Sequence, residues 1–355
     1  MAEKGRPNPL DENPIRPVRL GPLDLPANLV LAPMHRHTHR ALRLLCRRAG
    51  AALAHTEMLT PEEVLGAGGA KAANPGAPGL ASSPRDRPLG VQLLPRESEP
   101  LAEAVALLAE RGQADLVDLN FACPSRRVVA SGRGGAMLRR PDPAVRLVEA
   151  AVRASALPVT IKMRLGWTDS EEDLALALDI ARRAVEAGAA AVTLHARSVV
   201  QGYHGRADWM TIARWARDLE APVFGSGDLR SPEAILAMLR QTRCAGASLA
   251  RGALGAPWIF RQALDLAAHG AYEPVTTDER RETILAHFAG LAEQYGERAA
   301  VRLMRQEGQY YARGMKGARA LRAALQSVGT TAEFRHAVVR YVAEKATPHR
   351  QEGGL

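Results

Sequence analysis

The feature that most constrains this chain is an alternation. Between residues 28 and 268, eight short runs rich in β-formers alternate with helical patterns. The runs are NLVLAP (28–33), ALAHTEM (52–58), PLGVQLL (88–94), DLVDLNFA (115–122), LPVTIKMR (157–164), AAVTLHAR (190–197), APVFGSGD (221–228) and CAGASLAR (244–251). Several are apolar almost throughout, as strands covered on both faces are. Patterns such as LAEAVALLAERG and EEDLALALDIARRAVEAG lie between them. A helix closing on Gly with a strand soon after is the rhythm of a βα unit. Eight such units predict an α/β fold of the TIM (β/α)8 barrel type. A doubly wound sheet is the alternative, and it would need fewer units. VRLGPLDLPAN, ahead of the first run, predicts a hairpin closing the barrel's bottom. From about residue 278 only helical patterns remain, which predicts a small C-terminal helical domain behind the linker AYEPVTTD, with extra helices packed on the barrel as the alternative.

Other classes are excluded. No apolar run reaches the roughly 18 residues a membrane span needs. The polar, Pro-rich start, MAEKGRPNPLDENPIRP, lacks a signal peptide's apolar centre and reads as a flexible tail. Three cysteines (Cys46, Cys123, Cys244) are widely spaced without a CxxC. This argues against a disulfide scaffold or a zinc site and for a reducing cytoplasm. The net charge of +9 leaves two readings, an Arg-rich composition or a polyanionic partner. Basic residues concentrate at 36–48 (Arg36, Arg40, Arg43, Arg47, Arg48), in the loop after Cys123, and at 313–322 (Arg313, Lys316, Arg319, Arg322). Each cluster fits either a solvated helix face or a phosphate contact.

TIM barrels carry their active sites at the C-terminal ends of the strands. The runs end in Met34, Glu57, Gln92, Asn120 with Cys123, Lys162 with Arg164, His195 with Arg197, Ser226 with Asp228, and Arg251. One polar ending is ordinary. Nearly every run ends so, and polar groups converging on one mouth need partners when buried; a ligand is the economical one. FGSGD and LARGALG place glycines where strands seven and eight turn into helices, a setting that suits a phosphate. There is no GxGxxG fingerprint for a Rossmann NAD site.

These segments resemble a known family. LAPM (31–34), TEM (56–58), VQL (91–93), NFACPSRRVVASGRGGAML (120–138), IKMRLGW (161–167), LHARSVVQGYHGRADW (194–209), GSGD (225–228) and ARGALGAPWIF (250–260) are similar to the dihydrouridine synthases, which reduce uridine in tRNA with FMN. The resemblance runs from about 16 to 330 and includes YYARGMKGARALRAAL in the helical tail. It implies an FMN-binding catalytic barrel at 17–270 and an RNA-binding helical domain at 278–347, with tails at 1–16 and 348–355. It implies an FMN phosphate held around Gly225, Ser226, Gly227, Asp228, Arg251 and Gly252. Pro33 and Met34 would lie against the flavin ring, and Gln92, Lys162 and His195 at its polar edge. Hydride would go to C6 of uracil, and Cys123 would protonate C5. Asn120 would orient substrate or flavin, and Arg164, Arg197, Arg126 and Arg127 would meet substrate, the last two with Arg133 on a glycine-bearing lid over residues 124–137. NADPH is the implied reductant, with NADH open and no motif for either. A monomer is implied. Tyr310 and Tyr311 fit either a base stack or core packing.

The chain departs from the family pattern in places. HRHTHR (35–40) replaces small residues and an acid after LAPM. Its three histidines at spacing two do not share a helix face, so no metal site is expected. Ser226 stands where the family usually has Asn, and Glu307 where the helical tail often has His. Ribosomal RNA therefore stays open as substrate beside tRNA. A barrel reducing a free small molecule and a catalytically idle RNA-binding barrel are the other readings.

Overall fold

The structure, a computed structural model, describes residues 13–66, 80 and 82–343. Of the expected tails at 1–16 and 348–355, residues 1–12 and 348–355 lie outside the described residues, as do 344–347 of the expected helical domain. Each of the eight runs contains a strand. These are β3 (Leu29–Leu31), β4 (Leu53–His55), β5 (Leu89–Leu93), β6 (Leu116–Phe121), β7 (Val159–Arg164), β8 (Ala191–His195), β9 (Val223–Ser226) and β10 (Gly246–Leu249). They are parallel and close into a barrel, β10 pairing with β3. The doubly wound alternative is thereby excluded. β1 (Val18–Leu20) and β2 (Leu23–Leu25) form the expected antiparallel hairpin.

The period of two along each strand explains the barrel's polarity. Val117, Leu119 and Phe121, like Val159, Ile161 and Met163, belong to the large apolar cluster shared with the surrounding helices. The intervening residues therefore point inward. At the bottom they are apolar: Leu116, Ala191 and Phe224 pack with Leu20 and Leu25 of the hairpin, which closes that end. Higher up they are polar: Gln92, Asp118, Asn120, Thr160, Lys162, Arg164, His195, Ser226 and Ser248. The register sets Asn120 beside Lys162, Arg164 beside His195, and His195 beside Ser226.

Helices follow the strands: α1 (Arg40–Arg48), α2 (Pro61–Leu65), α3 (Ser98–Glu110), α4 (Arg126–Ala130), α5 (Pro141–Ala154), α6 (Glu171–Glu186), α7 (Trp209–Asp218), α8 (Pro232–Thr242) and α9 (Ile259–His269). Their starts are written in the sequence. Ser170, Asp208 and Ser231 each accept an amide bond as N-caps of α6, α7 and α8. Beyond them α10 (Thr277–Tyr295), α11 (Glu297–Tyr311), α12 (Ala318–Ser327) and α13 (Thr331–Ala343) bury a second apolar cluster, which also takes in Ala41 of α1 and Trp258 of the barrel. Phe288 and Phe334 stack within it at 4.6 Å. Among the described residues no helix is long and apolar enough to cross a membrane.

Candidate active site

The C-terminal ends of the strands surround a cavity of about 360 Å³. Pro33, Met34, Gln92, Asn120, Cys123, Lys162, Arg164 and His195 line it, as do Ser226, Gly227, Asp228, Arg251 and Gly252. Of the residues expected at a site, Gly225 is buried behind this wall, and Arg197 borders a neighbouring cleft instead. Arg126 and Arg127 are exposed on α4, outside the cavity.

A hydrogen-bonded relay crosses three strands and ends at the thiol residue. Thr160 donates to Asp118 Oδ1 at 2.7 Å. Gln92 Nε2 donates to Asp118 Oδ2 at 2.7 Å, and Gln92 Oε1 accepts from Asn120 Nδ2 at 2.9 Å. Asn120 Oδ1 in turn accepts the amides of Ala122 and Cys123 at 3.0 and 2.9 Å. Asn120 thus holds the Cys123 turn. Gln92 keeps one amide hydrogen and one lone pair for a ligand. Asp118 is a site residue that the strand-end pattern does not reach. The signal is the two-residue period, since Asp118 and Asn120 share one face in LVDLN.

The segment after Cys123 is more ordered than the expected glycine lid. It contains α4 and a 3-10 turn, Gly134–Arg139. Gly135 donates its amide to the Cys123 carbonyl at 3.0 Å, and a Cβ on Gly134 would come within 3.0 Å of Cys123. These glycines allow close packing around the thiol. Arg133 is not free for phosphate, because Glu62 pairs with it at 2.7 Å.

Lys162 finds no hydrogen-bond or ion-pair partner among the described residues, and its ammonium opens on the cavity. Burial, then repulsion from Arg164, lowers its pKa to about 8, although Asp118 and Cys123 pull upward. Burial pushes the Cys123 thiol up, against smaller pulls from the Ser125 amide, Arg164 and Lys162. Burial and the surrounding cations hold His195 well below the ordinary imidazole range, hence neutral. Arg197, which has only donors, lies 3.4 Å from His195 Nε2. The imidazole proton therefore sits on Nδ1.

Arg164, at the cavity wall, and Arg197 spend their hydrogen bonds on protein. Arg164 donates to the carbonyls of Ala122, Ser198 and Gly202. Arg197 binds Asp228 at 2.7 Å and the carbonyls of His204 and Gly205. Together they shape the 198–205 loop and set Tyr203, which is 56 % exposed, at the mouth. The guanidiniums of Arg164 and Arg251 lie 5.4 and 4.6 Å from its ring centre. Tyr203, Arg230 and Tyr310 also line the cavity, and none of them closes a strand, so strand-end reasoning misses all three.

The basic stretch at 36–48 is largely consumed inside the protein. Arg43 and Asp86 pair at 2.7 Å with both side chains fully buried, Arg40 pairs with Glu293, and Arg47 donates to two carbonyls. Arg313, Lys316, Arg319 and Arg322 are exposed, and no acid pairs with them among the described residues. The two tail tyrosines divide. Tyr311 is buried against His287 and Trp258, and Tyr310 faces the cavity. The histidines of HRHTHR also go separate ways. His35 lies 3.7 Å from Glu57, His37 binds Glu307, and His39 caps α1. Among the described residues no group of three His, Cys, Asp or Glu is placed to hold a metal ion.

Residues 30–347 match the family described as "Dihydrouridine synthase (Dus)". A "Probable tRNA-dihydrouridine synthase" of Treponema pallidum is 34% identical over 310 residues, covering 85% of this chain and 89% of that protein. The "tRNA-dihydrouridine synthase B" of Pseudomonas aeruginosa is 34% identical over 329 residues, covering 92% and 96%. Among solved structures, histamine dehydrogenase from Rhizobium sp. 4-9 superposes with a TM-score of 0.55 at 16% identity, over 80% of this chain and 51% of that one. That likeness is one of fold.

Proposed function

The chain belongs to the dihydrouridine synthase family, and on that premise we propose that it reduces uridine to 5,6-dihydrouridine in tRNA, with FMN as cofactor. One observation carries the reading. A single cavity holds the Cys123 thiol, whose pKa burial pushes up, and a buried ammonium without a protein partner among the described residues.

The residues fit FMN. At one end of the cavity, Arg230 and Arg251 have no ion-pair partner among the described residues. A Cβ on Gly252 would sit 2.0 Å from the Leu229 carbonyl oxygen, so only glycine lets these two loops close together there. The phosphate is assigned to this end, around Gly225, Ser226, Gly227, Asp228, Arg251 and Gly252. Pro33 and Met34 are assigned to the flavin ring. Gln92, Lys162 and His195 are assigned to its polar edge. When bound and reduced, FMN would supply the hydride for C6 of the uracil.

The chain's own groups do the rest. Cys123 holds the proton that C5 needs. Its S–H bond breaks as the C–H bond forms, and the thiolate regains a proton from water. Lys162, charged below about pH 8, offsets the negative charge that reduction brings into the cavity. His195, neutral, offers its Nδ1–H as a donor, with Nε2 turned to Arg197. Asn120 fixes the backbone of Cys123. Arg164 and Arg197 act on substrate through the Tyr203 loop they hold.

An RNA substrate gives the charge a purpose. Extruding a uridine costs a few kcal/mol, which phosphate contacts offset. Arg126, Arg127 and the exposed 313–322 cluster are assigned to those contacts. The barrel at 17–270 is read as the FMN unit and 278–347 as the RNA unit, in a cytoplasmic monomer that uses NADPH.

The test is dihydrouridine content by nucleoside mass spectrometry, on separately purified tRNA and ribosomal RNA from cells with and without the gene. Loss from tRNA is the expected result. Loss from ribosomal RNA alone would keep the chemistry and move the substrate. No loss from either, in cells without a second such enzyme, would sink the reading.

A further inference from the structure

Two departures from the family pattern, far apart in the chain, meet in space. His37 Nδ1 lies 2.6 Å from Glu307 Oε1, with side-chain exposures of 15% and 3%. We propose that His37 and Glu307 form a positioning pair that locks α11 onto the first strand–helix loop of the barrel and so fixes Tyr310 in the rim of the cavity. The helical segment and the catalytic mouth then meet an RNA as one surface. The inference rests on reading the cavity as a site for uridine in RNA.

Several observations converge on it. Spacing of three puts Glu307 and Tyr310 on one face of α11. The His37 ring meets Tyr310 edge-on, with centroids 5.4 Å apart and planes at 77°. His37 and Tyr310 both line the cavity. Arg313 lies 4.5 Å over the Tyr310 ring, which links this point to the exposed basic cluster. The seat of α11 is also tight. A Cβ on Gly255, in the loop after β10, would sit 2.3 Å from the Tyr310 backbone. Beside the pair, His39 from the same barrel loop meets His287 of α10 at 5.0 Å.

A buried carboxylate is a poor choice for plain adhesion. Apolar residues of similar volume hold two elements together at least as well as a buried ion pair does. What a short, directional hydrogen bond adds is a defined orientation. Here that orientation is passed to Tyr310, an aromatic ring at the entrance through which a base would arrive. Aromatic faces at such entrances stack on extruded bases.

The experiment uses the full-length, FMN-loaded protein and an unmodified tRNA transcript. Kd is read by fluorescence anisotropy, and KM and kcat by dihydrouridine formation. His37→Ala and Glu307→Ala should each raise Kd and KM about tenfold, which corresponds to about 1.4 kcal/mol, with a much smaller change in kcat. The double variant should be no worse than either single one. Glu307→Gln, which keeps an acceptor for the ring, should recover most of the affinity. Tyr310→Ala should weaken binding to a similar degree and add little in the His37→Ala background. Additive losses, unchanged Kd in all variants, or a loss confined to kcat would overturn the proposal. Should His37→Ala and Glu307→Ala fail to fold, Glu307→Gln and Tyr310→Ala carry the test alone. Anisotropy needs no turnover. If wild-type protein binds the transcript but forms no dihydrouridine, the reading of the reaction falls while the pair is still tested. Failure of the wild type to bind RNA sinks both.

Discussion

Asn120 Oδ1 accepts the backbone amide of Cys123 at 2.9 Å, so the side chain at the end of β6 aims the thiol that follows it. Behind Asn120 stand Gln92, Asp118 and Thr160, each bonded to the next. Asn120→Ala should therefore cost kcat more than KM. A misplacement of about 1 Å can cost about a hundredfold in rate, and that is the size expected. Asn120→Asp keeps the acceptor but loses the donor to Gln92, and it should fall between. Flavin content, read by absorbance, should stay near wild type in both. Loss of flavin in step with activity would make Asn120 a cofactor residue instead.

Cys123→Ala should bind FMN and tRNA and form very little product, a loss of about 10² to 10⁴ for a missing general acid. The pH profile adds a second check. Burial raises the thiol's pKa, so Cys123 stays protonated and able to donate well into the alkaline range. An alkaline decline that begins near pH 8 would then belong to another group. Full activity in Cys123→Ala would remove the thiol from the reaction.

That other group is Lys162, whose pKa burial lowers from 10.5 to about 8. As pH rises through 8 the ammonium is lost, and FMN affinity should fall with it. The sign for stability is the reverse. Between pH 8 and 10.5 the unfolded chain holds a proton that the folded, cofactor-free protein has released. Stability then rises with pH across that window, and the penalty is fullest below it. Lys162→Met should accordingly stabilise the cofactor-free protein at pH 7, by up to about 3 kcal/mol on the scale of 1.36 per pKa unit. The gain should shrink toward pH 10.5. Urea titrations of both proteins at pH 7 and 9.5 decide it. A destabilised variant at pH 7 would mean that the ammonium has a partner in the cofactor-free fold.

The barrel was legible because covered parallel strands must be apolar, and because Ser, Asp and Gly mark the helix ends. The strand-end residues were legible for the same reason, since a polar group closing an apolar run stands out. Partnerships were not. Asp118 hides inside β6, where only the two-residue period betrays it. The role of Arg43 depends on Asp86, 43 positions away, and that of His37 on Glu307, 270 away. Local pattern carries no such distances. Charge was the least readable property. Arg40, Arg43 and Arg47 look like a phosphate-binding stripe in sequence, but each is spent within the fold.

That contrast between two basic clusters yields the last prediction. Arg313, Lys316, Arg319 and Arg322 are exposed, so removing Arg319 and Arg322 should leave stability nearly unchanged. If both meet phosphates, the slope of log Kd against log salt should flatten by roughly 0.7 to 0.9 for each phosphate that is no longer neutralised. Arg43→Ala should do the opposite. It strands the Asp86 carboxylate in the interior, which costs about 3 to 5 kcal/mol. In whatever fraction stays folded, the salt slope should not move. Thermal melts and RNA titrations at several salt concentrations separate the two. An unaltered slope in the Arg319→Ala/Arg322→Ala protein would take these two residues out of the RNA interface. The search for phosphate contacts would then turn to Arg126 and Arg127 on α4, exposed and carrying no ion pair among the described residues.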